Sequence, residues 1–379
     1  MSSLTPTLDH LRALVAFDTQ NPPRDIDGGG LFAYVAEQLP EFRVEITDQG
    51  AGCVSLLAVR GQPDTVFNVH MDTVPGTRHW QRDPLQLSIE GDRAYGLGTC
   101  DIKGAAACLL TVAQQSKTPM ALLLTSDEEA GDNRCISSFL ATDHGFEKAV
   151  IAEPTRCQAV LCHRGIRSFA VRFHGVAGHS SQARALRDSA LHQAGRWIGA
   201  AADFAEQQQR EARFDNLEGV CFNVGTVQGG VKNNVIAPAA ELTFGVRPLP
   251  GQSADALIET LQGLHAGEHA AEWTPRYGGP ALPDATAHGG FDAALAASRA
   301  LAESLALPLG EAVDFWTEAA LFSAAGLPAL VFGPGDIAQA HTADEWVCLE
   351  DLETALSHYR RIFGADTDSA EIGARGLGG

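Results

Sequence analysis

The sequence predicts an α/β fold: a doubly wound, mostly parallel sheet with a smaller α+β domain inserted into it. Three observations carry this. Short unbroken apolar runs such as Ala121-Leu122-Leu123-Leu124, bounded by Pro119 and Gly131, have the length of parallel strands buried on both faces. Such runs alternate with helical stretches over the first 164 residues, which implies right-handed crossovers. After Arg164 the pattern changes to period-two alternation, which suits strands with one wet face. The larger domain is therefore assigned to 1–164 and 276–379, and the inserted domain to 165–275.

In chain order, Leu8 to Phe17 and Leu31 to Leu39 have amphipathic helical spacing, separated by the turn signal Asn21-Pro22-Pro23. Val54 to Val59 reads as a strand, followed by the turn Gly61-Gln62-Pro63-Asp64 and a second strand, 65–69, ending in His70-Met71-Asp72. Gly96 to Asp101 is a tight polar turn that leads into an Ala- and Leu-rich helix from about Gly104 to Gln115. The strand at 121–125 stops at three adjacent carboxylates, Asp127, Glu128 and Glu129, before a helix through 136–140. Lys148 to Ala152 is a further short strand, ending in Glu153-Pro154-Thr155.

In the inserted domain, Ile166 to His174 places Phe169, Val171 and Phe173 on one side. A loop through His179, a long helix near Ser189 to Gln209, strands at Val220 to Val227 and Ala240 to Val246, a helix at Ser253 to Leu264 and an edge near Ala270 to Thr274 complete a four-stranded sheet with two helices. The larger domain then resumes with helices at Phe291 to Ala306 and Glu318 to Ala325 and a strand at Pro328 to Phe332, closed by Gly333-Pro334-Gly335. His341 follows in a short loop, and Leu349 to Phe363 is the closing helix. The Gly-rich tail, 364–379, is expected to fray.

Lys plus Arg number 27 against 47 Asp plus Glu, a formal charge of −20, which disfavours nucleic acid and anionic membrane as partners. No apolar run approaches the length of a membrane span, and the first residues lack a basic segment followed by an apolar one. Eight scattered cysteines without a CxxC pair suit reduced thiols, so a cytoplasmic location is expected.

Ligands in open α/β sheets collect beyond the carboxyl ends of the strands. Here those ends and adjoining loops carry His70 with Asp72, Glu128 with Glu129, Glu153 and His341, while Asp101 sits at the turn before a helix. Each alone is ordinary, since a lone acidic triplet is usually a solvated helix start. Several together are not, because crowded carboxylates repel unless a cation or shared protons compensate them. Imidazoles and carboxylates without thiolates suit zinc, cobalt or manganese in a catalytic site.

The motifs HMD at 70–72, GLGTCDIKG at 96–104, SDEEAG at 126–131, AEPT at 152–155, GHSS at 178–181 and AHTADEW at 340–346 run in order along nearly the whole chain. In them the chain resembles the dinuclear-zinc amidohydrolases that include acetylornithine deacetylase, succinyl-diaminopimelate desuccinylase, aminoacylase and carboxypeptidase G. The resemblance implies two divalent ions, Zn or Co. His70 and Glu153 would complete one site, His341 and Glu129 the other, with Asp101 bridging. Asp72 would orient His70 by accepting its other N–H. Glu128 is then the general base, taking a proton from water and passing it to the leaving amine. The inserted domain is implied to be a lid and a homodimerisation surface, with His179 reaching the partner's site to stabilise an oxyanion. Asn234 and Arg247 would contact the substrate, with Gly333 and Gly335 offering backbone N–H groups to its carboxylate.

Leu97, Ala105, the segment 182–187 and Gly245 depart from the family pattern without removing a ligand or Glu128. The implied activity is deacetylation of an N-acetyl amino acid in arginine biosynthesis. Arg184 and Arg187 disfavour a cationic side chain and favour N-acetyl-L-citrulline over N-acetyl-L-ornithine. A dipeptidase or carboxypeptidase of the same family, or a catalytically inactive binding module, is the alternative.

Overall fold

The computed structural model describes residues 4–265, 267 and 269–365; all but the first two residues of the predicted fraying tail lie outside them. The fold is mixed α/β and divides into two compact units. One is built from Met1–Leu161, Leu295–Gly310 and Thr317–Gly379, the other from Cys162–Ala294 and Glu311–Trp316.

The first unit is centred on a six-stranded sheet. Its spatial order is Arg43–Asp48, Val54–Arg60, Met120–Thr125, Thr65–His70, Lys148–Ile151, Ala329–Val331. The last four run parallel, and the first two are antiparallel additions at one edge. Met120–Thr125 is buried at every position, as its unbroken apolar run requires. The register sets His70 opposite Thr125 and Asn68 opposite Ile151, so the three chains leave the sheet at one edge. That edge carries the site.

Two helices show how the sheet is covered. Lys103–Gln115 buries every residue from Lys103 to Ala113, because its Ala-rich sequence permits close approach on all sides. Leu349–Ile362 has Glu350 and Asp351 in its first turn and Arg360 and Arg361 in its last, complementing the helix dipole. Its Tyr359 packs edge-on against Phe67 and donates to the Phe332 carbonyl at 3.0 Å.

The second unit is a four-stranded antiparallel sheet in the order Cys221–Gly229, Ala239–Arg247, Ile166–His174, Ala271–Gly279. Phe169, Val171 and Phe173 alternate inward with Leu242, Phe244 and Val246. They meet Trp197 from helix Ala190–Glu211 and Leu257 and Leu261 from helix Ala254–Gly263. Ser253 caps the second helix by accepting from the Ala256 amide. Arg164 is tied down inside this unit, to Asp314 and to the Gly219 and Glu218 carbonyls.

Candidate metal centre

Five side chains converge at the carboxyl edge of the parallel strands. His70 ends strand Thr65–His70 and is 1% exposed. Its Nδ1 lies 3.0 Å from the Asp72 carbonyl oxygen, which can only accept, so Nδ1 carries the hydrogen and Nε2 faces the site. The Asp72 carboxylate, predicted to take that hydrogen, stands 3.6 Å away, beyond hydrogen-bond reach. It works elsewhere, with Oδ2 accepting from Asn21 Nδ2 at 2.9 Å and from the Glu129 amide at 3.0 Å. Asp72 therefore positions two strand ends at once, one through its backbone and one through its side chain.

His70 Nε2 is 2.9 Å from Asp101 Oδ1 and 3.5 Å from Glu153 Oε1. The other Asp101 oxygen, Oδ2, is 3.3 Å from His341 Nε2, which is 3.0 Å from Glu129 Oε1. Potential ligand atoms of His70, Asp101 and Glu153 lie within 4.8 Å of one another, as do those of Asp101, Glu129 and His341. The two groups share Asp101. A third such group joins His70 to Glu128 and Glu129.

Of the three adjacent carboxylates, Asp127 turns away and accepts from the Cys135 amide at 2.9 Å, securing the start of helix Arg134–Leu140. Glu128 makes no side-chain hydrogen bond or ion pair among the described residues. Burial pushes its carboxyl well above the ordinary range, opposed by His70 and reinforced by Glu129 and Glu153. Glu153 is raised well above it too, by burial against the pull of His70, then by Asp101 and Glu129. His341 is pushed up to about 11 by its hydrogen bonds to Asp101 and Glu129. For Asp101, burial works upward, yet hydrogen bonds from His341 and His70 hold it below the usual carboxylate range.

Among the described residues no Lys or Arg forms an ion pair with Asp101, Glu128, Glu129 or Glu153. Imidazoles alone face this density of carboxylate. With nitrogen and oxygen donors, no thiolate and no competing side-chain cation, the donor set fits divalent cations.

The Peptidase family M20/M25/M40 model matches residues 66–365. The chain belongs to that family. It is 52% identical to an N-acetyl-L-citrulline deacetylase from Xanthomonas campestris pv. campestris over 95% of this chain and 98% of that one. An acetylornithine deacetylase from Myxococcus xanthus is 33% identical over 92% of this chain and 95% of its own. The fold is shared with aminopeptidase PepT from Bacillus cereus, at a TM-score of 0.71 and 15% identity, covering 95% of this chain and 98% of that one. It is also shared with a dinuclear metal binding peptidase of the M20 family from Bacillus subtilis, at a TM-score of 0.64 and 15% identity, over 96% and 99% of the two chains.

The remaining predicted residues of this M20 chain fall into four cases. In the second unit, His179 and Asn234 are neighbours: His179 bridges Val235, and the Ser180 amide donates to the Asn234 carbonyl at 3.1 Å. Both are exposed. The Ser181 amide donates to His179 Nδ1 at 3.2 Å, so the neutral ring carries its hydrogen on Nε2. Arg247 is half-buried with no ion pair among the described residues, and its Nη1 is buried without a partner.

Gly333 does not offer a free amide, its N–H donating to Thr155 Oγ1 at 3.1 Å, while the Gly335 amide opposes the rise that burial gives the Asp351 carboxyl. Their glycine identity has a steric reason instead: a Cβ on Gly333 would lie 2.7 Å from the Glu153 carbonyl oxygen, and one on Gly335 2.7 Å from Cys100 Sγ. Arg184 and Arg187 do not act as free charges either. Both guanidiniums bond Asp188, at 2.8 and 2.7 Å, and that pairing, Arg187 first, holds the Asp188 carboxyl below its usual range.

All eight thiols are free. No helix among the described residues is long and apolar enough to cross a membrane.

Proposed function

We propose that this chain is a metal-dependent deacetylase that hydrolyses N-acetyl-L-citrulline to acetate and citrulline in arginine biosynthesis, in the cytoplasm. The observation that carries it is the pair of ligand groups sharing Asp101, with Glu128 beside them and unengaged. His70 and Glu153 would hold one divalent ion, His341 and Glu129 the other, Zn or Co in each case, with Asp101 between them. When bound, such ions supply Lewis acidity and acidify water from a pKa of about 15.7 toward about 7.

The chain's own groups do the rest. Glu128 takes a proton from the attacking water as the C–O bond forms at the amide carbon. It returns that proton to the leaving nitrogen as the C–N bond breaks, giving acetate and a free amine. The burial and neighbouring carboxylates that raise its carboxyl also raise its basicity, which suits it to accept that proton. His179, with its Nε2–H outward, is the donor we assign to the oxyanion in a partner copy, and Arg247 and Asn234 are the polar contacts assigned to the substrate.

The choice of citrulline over ornithine is supported by the 52% relative's assignment, against 33% for the acetylornithine deacetylase. A homodimer through the second unit is supported by two features. Edge strand Cys221–Gly229 pairs on one side only, and Val227, Val231, Leu186 and Leu191 are exposed.

The test is a substrate panel with Zn or Co supplied: N-acetyl-L-citrulline, N-acetyl-L-ornithine, N-succinyl-diaminopimelate and dipeptides, reading released amine. N-acetyl-L-citrulline should give the highest kcat/KM. Faster turnover of dipeptides would replace the reading with a peptidase, and no turnover of any would favour a binding module.

A further inference from the structure

The turn that delivers Asp101 has its amides gathered on one distant side chain. Glu345 is 2% exposed. Its Oε2 accepts from the Gly98 amide at 2.9 Å, and its Oε1 accepts from the amides of Cys100 at 2.9 Å and Asp101 at 3.0 Å. Its carbonyl oxygen accepts from Gly96 at 3.0 Å. No Lys or Arg forms an ion pair with it among the described residues, so backbone amides supply its hydrogen bonds. Three backbone N–H donors thus converge on its two carboxyl oxygens.

Two flanking strands hold the same segments in register: Arg93–Tyr95 pairs with Trp346–Cys348, Trp346 opposite Tyr95. The neighbouring Asp344 serves a different loop, accepting from the Gln81 and Arg82 amides at 3.0 and 3.1 Å. His341 lies just before this pair of acids, on the same loop. One segment thus presents a site histidine and grips the backbone of the shared carboxylate.

We propose that Glu345 is a positioning residue that fixes the Asp101 backbone, and so sets the carboxylate shared by His70 and His341 at the spacing two cations need. This rests on the two-cation reading above. The Asp101 carboxylate is one carbon from a backbone whose N–H ends on Glu345, so loosening that amide moves both oxygens together. E345Q keeps the shape but replaces one carboxyl oxygen with an NH2 group, so at least one of the Gly98, Cys100 and Asp101 amides loses its acceptor.

The test uses full-length wild type, E345Q and D344N, stripped of metal and titrated with Zn(II) against a chromophoric chelator. Amide hydrogen exchange is followed in the metal-free proteins. Wild type should take up two ions. E345Q should bind them about 10- to 100-fold more weakly, as loss of an outer partner of a metal ligand typically does. Its Gly98, Cys100 and Asp101 amides should exchange faster while the rest of the fold keeps its protection, and kcat should fall with KM largely kept. D344N should retain wild-type affinity. Two ions bound by wild type and by E345Q with equal affinity would overturn the proposal alone. So would a D344N variant that loses affinity equally, since that would be general loosening of the loop. Wild type that takes up no ion would sink the two-cation reading and this proposal with it.

Discussion

Asp101 and His341 meet at 3.3 Å through the one Asp101 oxygen that His70 does not use. A single buried carboxylate is thereby divided between two imidazoles that come from opposite ends of the sequence. In the two-cation reading proposed above, this carboxylate would serve both ions. Asp101→Asn replaces one of the two oxygens with an NH2 group that cannot ligate, so it should lower the affinity of both ions together. After desalting, elemental analysis should find far less than the wild-type metal content, with turnover reduced by orders of magnitude. Full retention of two ions in the variant would show that Asp101 does not bridge.

Glu128 lies in the same cluster and makes no side-chain hydrogen bond or ion pair among the described residues; in the reading proposed above it is the base and not a ligand. Glu128→Gln should therefore keep the metal content of wild type and lose about 10²- to 10⁴-fold in kcat, the usual worth of a positioned acid–base group. Metal content and kcat measured on one preparation give the answer. Retained turnover would remove the group from proton transfer, while lost metal would make it a ligand.

The edge where these residues meet was legible in the sequence because its strands are unbroken apolar runs that stop at chemistry-bearing side chains: His70 after one, Glu128 and Glu129 after another, Glu153 after a third. The period-two strands of the second unit were legible for the same local reason, and Phe169, Val171 and Phe173 face inward as their spacing requires. Strand Arg43–Asp48 is a largely exposed edge whose alternating pattern rests on two apolar residues, Val44 and Ile46, too short a signal to mark it. Strand Trp346–Cys348 is not marked locally because its pairing with Arg93–Tyr95 is long-range, and the hairpin of Ser88–Glu90 with Arg93–Tyr95 because each strand is only three residues long. Hydrogen-bond partners were the least legible level. Nothing local says that Gly333 gives its N–H to Thr155, or that His70 uses the Asp72 carbonyl rather than its carboxylate. A run of turn amides at 96–101 with few local acceptors was the one available hint that a distant acid such as Glu345 must be supplied.

Glu318 provides a pH signature that does not involve ligation. It is buried next to the sheet, accepts from Thr125 Oγ1 at 3.3 Å, and has its other oxygen unpartnered. Burial, then Asp127, push its carboxyl from 4.5 up to about 8, with His70 pulling the other way. The folded chain thus holds a proton that the unfolded chain releases over that interval. Its contribution is fully present below pH 4.5 and is lost as pH rises through about 8. The Tm of the metal-free protein should fall between pH 5 and pH 8.5, and Glu318→Gln, neutral throughout, should flatten that fall by several degrees. Parallel Tm curves for the two proteins would refute the assignment.

Arg247 is the remaining group whose surroundings ask for something external. A guanidinium with a buried, unpartnered Nη1 has lost solvation without gaining an internal acceptor, so it does not act as a stabilising residue of its own sheet. If it receives the substrate's carboxylate, hydrogen bonds to that charged group are worth about 1.5–3 kcal/mol, which is roughly 10- to 100-fold in binding. Arg247→Met keeps the length and removes the charge. KM for N-acetyl-L-citrulline should rise by that factor with kcat little changed, and the Tm should hold or rise because a desolvated charge has gone. A purely structural arginine would give the opposite pair, a lowered Tm with KM unmoved, and steady-state kinetics beside a thermal melt on the same preparation tells the two apart.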